Sequence, residues 1–247
     1  MAGGGVVSDQ EVEGLSPEEL ERYVTKARRV GFLSLCLKAG IAVLAVLAVV
    51  NGSYMGAFAG LVSLSFALLP TVLKRNYKIT IPWVLELLIF LAVFLHVAGG
   101  VLGLYERFER WDTMTHFVSA FMLGVVSLTI IYIMHVYWEG ITMDVRALMI
   151  FTVIIGGFLG VIWEILEWSA DQVLGTHEQF GLGDTMKDLV MDLVGSMLAA
   201  LLGAKWIMDG TLRRMTADFG DSLNVQIFEK MVPIVAQKRR DEGPDPP

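Results

Sequence analysis

The chain has 247 residues, of which 55% are hydrophobic, and a formal net charge of −7. A mean hydropathy of +0.60, with the apolar residues gathered in long blocks, excludes an ordinary soluble domain. The acidic balance excludes the basic patch that nucleic-acid binding requires, and a single cysteine, Cys36, excludes an intramolecular disulfide.

Residues 1–28 read as a cytoplasmic tail with no secretory signal, because the first apolar run lies behind an acidic, Gly-rich head. Within the tail, "SPEELERYVTKARR" predicts a short helix. Ser16 is its N-cap, Pro17 its first residue, and Glu19 closes a capping box. Apolar spans then follow at 30–50, 54–73, 82–104, 113–138, 146–172 and 184–208. Each is long enough to cross a hydrocarbon core of about 30 Å. Runs without strand alternation must be helices in lipid. The fold class is therefore all-α, a polytopic membrane bundle of about six transmembrane helices over residues 29–208.

Basic residues orient it. Arg22, Lys26, Arg28 and Arg29 precede the first span. Lys74, Arg75 and Lys78 follow the second, Arg146 opens the fifth, and Lys205, Arg213 and Arg214 end or follow the sixth. The other side carries Arg107, Arg110 and Lys187, so both termini are expected in the cytoplasm of a prokaryotic plasma membrane. Residues 209–247 form a second cytoplasmic tail, whose "DSLNVQIFEKMVPIVAQKRR" suits a helix lying on the inner leaflet. Glu86, near the inner end of the third span, is expected to snorkel or to pair with Lys78.

Three segments carry the chemistry. "WDTMTHF" sets Asp112 and His116 at i, i+4. "WEILEWSAD" sets Glu164, Glu167 and Asp171 at i, i+3, i+7. "GDTMKDLVMDLVG" sets Asp184, Asp188 and Asp192 at i, i+4, i+8. Each spacing puts its residues on one helical face. Counting about 1.5 Å per residue from the helix ends puts Glu164 and Asp192 about 12 Å below the outer interface, facing one another, with His96 at similar depth. His116, Glu167 and Asp188 form a shallower layer, and Asp112, Asp171 and Asp184 a rim. Asp112 and Asp184 also read as N-caps, and His177 and Glu178 as solvated loop residues. Gly156, Gly157 and Gly160 suit close helix packing.

Clustered carboxylates in low dielectric need shared protons, water or a cation. An oxygen-rich set with one or two imidazoles suits Mg²⁺, Mn²⁺ or Ca²⁺, and Zn²⁺ less cleanly. The expected metal ligands are His116, Glu164, Glu167 and Asp188, with Asp192 and Asp112 in catalytic roles. Two further classes fit the same pattern: a cation or proton-coupled transporter, and a receptor or accessory protein that binds without turnover. Membrane lipids are the surrounding partner, and a lipid-like or cell-envelope ligand is the expected substrate.

"WDTMTHF", "GVIWEILEW" and "GDTMKDLVMDLVG" together resemble the YjdF-like family of uncharacterised membrane proteins, over roughly residues 80–205. More distantly the chain is similar to VanZ-like proteins, associated with glycopeptide resistance. That likeness falls on Asp112, His116, Phe117, Glu164, Asp188 and Gly195, and departs from the family pattern at Glu167 and Asp192. Neither resemblance implies an established reaction.

Overall fold

The computed structural model describes residues 16–52, 54–77, 81–137, 142–176, 178–179 and 181–216. Among the described residues the bounded helices follow in order: α1 Pro17–Val50, α2 Tyr54–Tyr77, α3 Trp83–Leu102, α4 Leu104–Arg107, α5 Trp111–Tyr137, α6 Val145–Leu174 and α7 Leu182–Met208, and residues 211–216 are helical as well. The protein is an all-helical membrane bundle. Among the described residues, five helices are long and apolar enough to cross a bilayer, and α2 adds a shorter apolar stretch, Gly60–Leu73. Lys78, Trp138, His177 and the amphipathic tail lie outside the described residues.

The amino-terminal helix differs from expectation. The short capped helix and the first span are one continuous helix, Pro17–Val50. Nothing breaks it, since Gly31 and Gly40 cost only about 1 kcal/mol each and no proline follows Pro17 before the end. Asp144 caps α6 by accepting the Ala147 amide at 2.8 Å, and Gly103, with φ of 63°, turns the chain from α3 into α4.

The helices form two groups. In the first, α1 and α3 pack on each other and on α2, around Ile41, Ala67 and Phe90. In the second, α5, α6 and α7 pack together, with a core of Leu128, Ile131, Leu148 and Leu212. Leu85 of α3, packed with Val125 and Ala199, joins the groups.

Small residues bring the second group close. A Cβ at Gly195 of α7 would lie 2.6 Å from the Phe117 carbonyl oxygen of α5. One at Gly160 of α6 would overlap the Asp192 carboxylate. These glycines therefore pack rather than hinge, and they set how near the acidic faces come.

Candidate functional site

The site is built on three helix ends. From α5 comes His116, one turn beyond Asp112. From α6 come Glu164 and Glu167, and from α7 come Asp188 and Asp192. His116, Glu164, Asp188 and Asp192 are buried, although each stands on a helix that otherwise faces lipid or packs on apolar neighbours. The helical spacings read from the sequence thus converge on one cluster.

His116 is its centre. Its Nδ1 lies 3.3 Å and 3.4 Å from the two Asp192 carboxylate oxygens. Its Nε2 lies 3.7 Å from Asp112 Oδ1 and 3.8 Å from Glu164 Oε1. Asp192 therefore fixes the ring from behind and leaves Nε2 aimed between two carboxylates. This is the arrangement in which a carboxylate orients a metal-ligating histidine.

Two sets of side chains place a ligand atom each within 4.8 Å of the others: Asp112, His116 and Asp188, and His116, Glu164 and Glu167. Two oxygens in them are buried and have no hydrogen-bond partner among the described residues, Glu164 Oε1 and Asp188 Oδ1. Leaving a buried acceptor unpaired costs about 1–3 kcal/mol, and more for a charged one. Two further oxygens are engaged. Glu167 Oε1 accepts from the Trp163 indole at 2.6 Å, and Glu164 Oε2 from the Gln179 amide at 3.1 Å.

Several sequence expectations change. Asp192 does not face Glu164 across a shared depth: it lies against Gly160, one turn further in, and its partner is His116. Neither Asp112 nor Asp184 is an N-cap. Both lie inside the first turn of their helices, and Gly181 precedes α7 without a side-chain cap. There their charges face the positive end of the helix dipole instead. Asp171 organises the loop after α6, accepting from Thr176 Oγ1 at 2.7 Å and from the Glu178 and Gln179 amides at 2.8 and 3.0 Å.

His96 stands in the wall beside the cluster. Its Nδ1 shares a 2.9 Å hydrogen bond with the Tyr105 hydroxyl, and its ring meets Trp163 edge-on at 5.3 Å. Burial, above all, raises the Tyr105 pKa well beyond the ordinary tyrosine value; Asp112 and Glu167 push the same way, against a lowering Thr115 hydrogen bond. The phenol accordingly stays protonated. Arg110 and Lys187, the cations nearest in sequence, line a separate groove of about 440 Å³ with Thr113 and Met191.

Gln179 was not legible beforehand. Its amide reaches Glu164 Oε2, the Glu164 carbonyl oxygen at 3.3 Å and Thr185 Oγ1 at 3.1 Å, so the α6–α7 loop closes over the deepest glutamate. The only sequence signal was the pair of glycines, Gly175 and Gly181, which take positive φ at the loop's two ends. They mark a tight loop but do not say which side chain turns inward.

With that geometry in place, comparison with known proteins adds the lineage. The family model described as "Predicted membrane protein (DUF2238)" matches residues 32–209, which contain every residue of the cluster. The chain belongs to this family. DUF2238 corresponds to the YjdF-like resemblance of the three motifs. An uncharacterized protein of Thermotoga maritima is 34% identical over 128 residues, 51% of this chain and 65% of that protein. The match thus spans about two thirds of the relative's length. No solved structure matches the chain.

Proposed function

We propose that this DUF2238 protein binds a divalent cation in an outward-facing pocket within a prokaryotic plasma membrane. There the ion serves metal-assisted chemistry on a lipid-borne or cell-envelope substrate. The observation that carries the reading is the pair of orphaned oxygens, Glu164 Oε1 and Asp188 Oδ1, buried beside an imidazole nitrogen already oriented by Asp192. Ligands held about 2.0–2.6 Å from one ion lie no more than about 5 Å apart, a condition met within each of two sets, one holding Asp188 and the other Glu164, with His116 in both. The donor set of several carboxylates and one imidazole favours Mg²⁺, Mn²⁺ or Ca²⁺ over Zn²⁺. A bound ion would polarise a phosphoryl or carbonyl oxygen and activate water. Asp192 would hold the His116 ring, and Asp112, beside Nε2, would complete the ion's shell or take a proton.

Transport through the bundle has less support. Inward of Asp192, the hydroxyls of Ser196, Thr152 and Thr129 donate to carbonyls of their own helices, at 2.7, 2.8 and 2.8 Å. Glu86, near the inner end of the third span, is paired with Lys38. Ion flux in proteoliposomes that disappears in Glu164→Gln would reverse this order. A receptor that binds without turnover would share the ion but turn over no substrate.

The test is elemental analysis of protein purified in lipid nanodiscs without chelator. Divalent metal at or above one equivalent per chain, lost on dialysis against EDTA with a fall in thermal stability, is expected. Protein that carries no metal, and whose stability is unchanged by EDTA or added Mn²⁺, would overturn the proposal.

A further inference from the structure

We propose that the cluster holds two divalent cations, on two ligand sets that meet at His116. This rests on the metal reading above and deepens it. The first set is Asp112, His116 and Asp188; the second is His116, Glu164 and Glu167. Each contains one buried oxygen without a hydrogen-bond partner among the described residues: Asp188 Oδ1 in the first and Glu164 Oε1 in the second. A single ion explains one of these atoms directly. Two ions explain both.

The histidine sharpens the argument. Its Nδ1 is engaged by Asp192, so it offers one lone pair, on Nε2, which lies at nearly equal distance from Asp112 and Glu164. One nitrogen can serve one ion. The other ion must then be held by carboxylates alone, with one carboxylate bridging, as the two oxygens of an aspartate or glutamate allow. Oxygen-only coordination beside mixed oxygen and imidazole coordination is compatible with Mn²⁺ and Mg²⁺ in both positions.

Charge points the same way. Asp112, Glu164, Glu167 and Asp188 bring four carboxylates together, and the ion pairs among the described residues give them no lysine or arginine. One divalent ion offsets half of that charge, and the remainder would repel in a medium of low dielectric. Two divalent ions offset all of it. Paired ions about 3.5–4 Å apart are also the arrangement that clamps both the attacking and the departing oxygen in displacement at phosphorus.

The experiment is Mn²⁺ titration of the metal-stripped protein in nanodiscs, read by bound stoichiometry and by electron paramagnetic resonance. Wild type should bind two Mn²⁺ per chain, with an exchange-coupled spectrum at saturation. Glu167→Gln and Asp188→Asn should each bind one and give the six-line spectrum of an isolated ion. Glu167 is only half-buried, so its amide variant carries the test if Asp188→Asn fails to fold. One Mn²⁺ per wild-type chain, with a six-line spectrum at saturation, would overturn the two-ion inference and leave the metal site standing. No bound Mn²⁺ would overturn both.

Discussion

In the α1–α3 group, a charge at membrane depth is answered within the protein. Lys38 of α1 reaches Glu86 of α3 and Thr71 of α2 at 3.2 and 3.3 Å, and lies 4.4 Å over the Phe90 ring. Three helices thus meet at one compensated ion pair. In the α5–α7 group, several carboxylates gather around a single imidazole, and two of their buried oxygens have no hydrogen-bond partner among the described residues. Burying a charge is costly in both places; the first arrangement answers it with an ion pair, and the second offers buried oxygens to the cation proposed above. That contrast separates a structural polar cluster from a binding site more sharply than the mere presence of acids in a span.

The largest expected effect breaks the second arrangement. Glu164→Gln keeps volume and hydrogen bonding while deleting the charge next to His116 Nε2. Mn²⁺ affinity should fall by at least about 100-fold, with an unchanged elution profile and helical content. A variant that binds Mn²⁺ like the wild type would remove Glu164 from the site.

Next is the orienting carboxylate. Asp192→Asn keeps a partner for His116 Nδ1 but no longer fixes the ring's tautomer by charge. Metal affinity should fall about 10–100-fold. An effect as large as that of Glu164→Gln would make Asp192 a ligand itself.

The compensated pair responds on a different axis. Lys38→Met leaves Glu86 without its cation, and stability should drop by about 1–3 kcal/mol. Adding Glu86→Gln should recover part of the loss, since a broken pair costs more than a pair removed whole. Both variants should bind metal normally. Chemical unfolding in mixed micelles alongside Mn²⁺ titration checks this, and lost metal binding would mean that the two groups of helices are coupled.

What the sequence could carry was the one-dimensional part of this contrast. The spacings of Asp112 with His116, of Glu164 with Glu167, and of Asp188 with Asp192 are helical periodicity, and periodicity survives folding. Hence the acidic faces were readable. Pairings across the bundle were not. Lys38 and Glu86 are 48 residues apart, and the expected partner for Glu86 was instead the sequence-near Lys78. The depth order failed for a related reason. Counting residues from the helix ends placed Asp192 level with Glu164, but the close approach at Gly160 sets α7 one turn deeper against α6. Gln179 depends on how a loop folds back, which no periodicity records.

The smallest effect is expected at the rim, where the sequence pattern looks the same as in the interior. Asp184 continues the i, i+4, i+8 series of Asp188 and Asp192, yet it belongs to neither ligand set. It is half-buried in the first turn of α7, where its charge meets the amide end of the helix. A carboxylate there contributes about 0.3–1 kcal/mol, screened by salt, and an asparagine retains the polar contact without the charge. Asp184→Asn should therefore lower stability slightly at low ionic strength and not measurably at high. It should change Mn²⁺ affinity by no more than about threefold, through the lost long-range field alone. Running the titration at two salt concentrations makes the distinction: a long-range effect shrinks as salt rises, whereas a lost ligand does not. A salt-independent loss as large as that of Glu164→Gln would bring Asp184 into the ion's coordination shell and erase the boundary between rim and site.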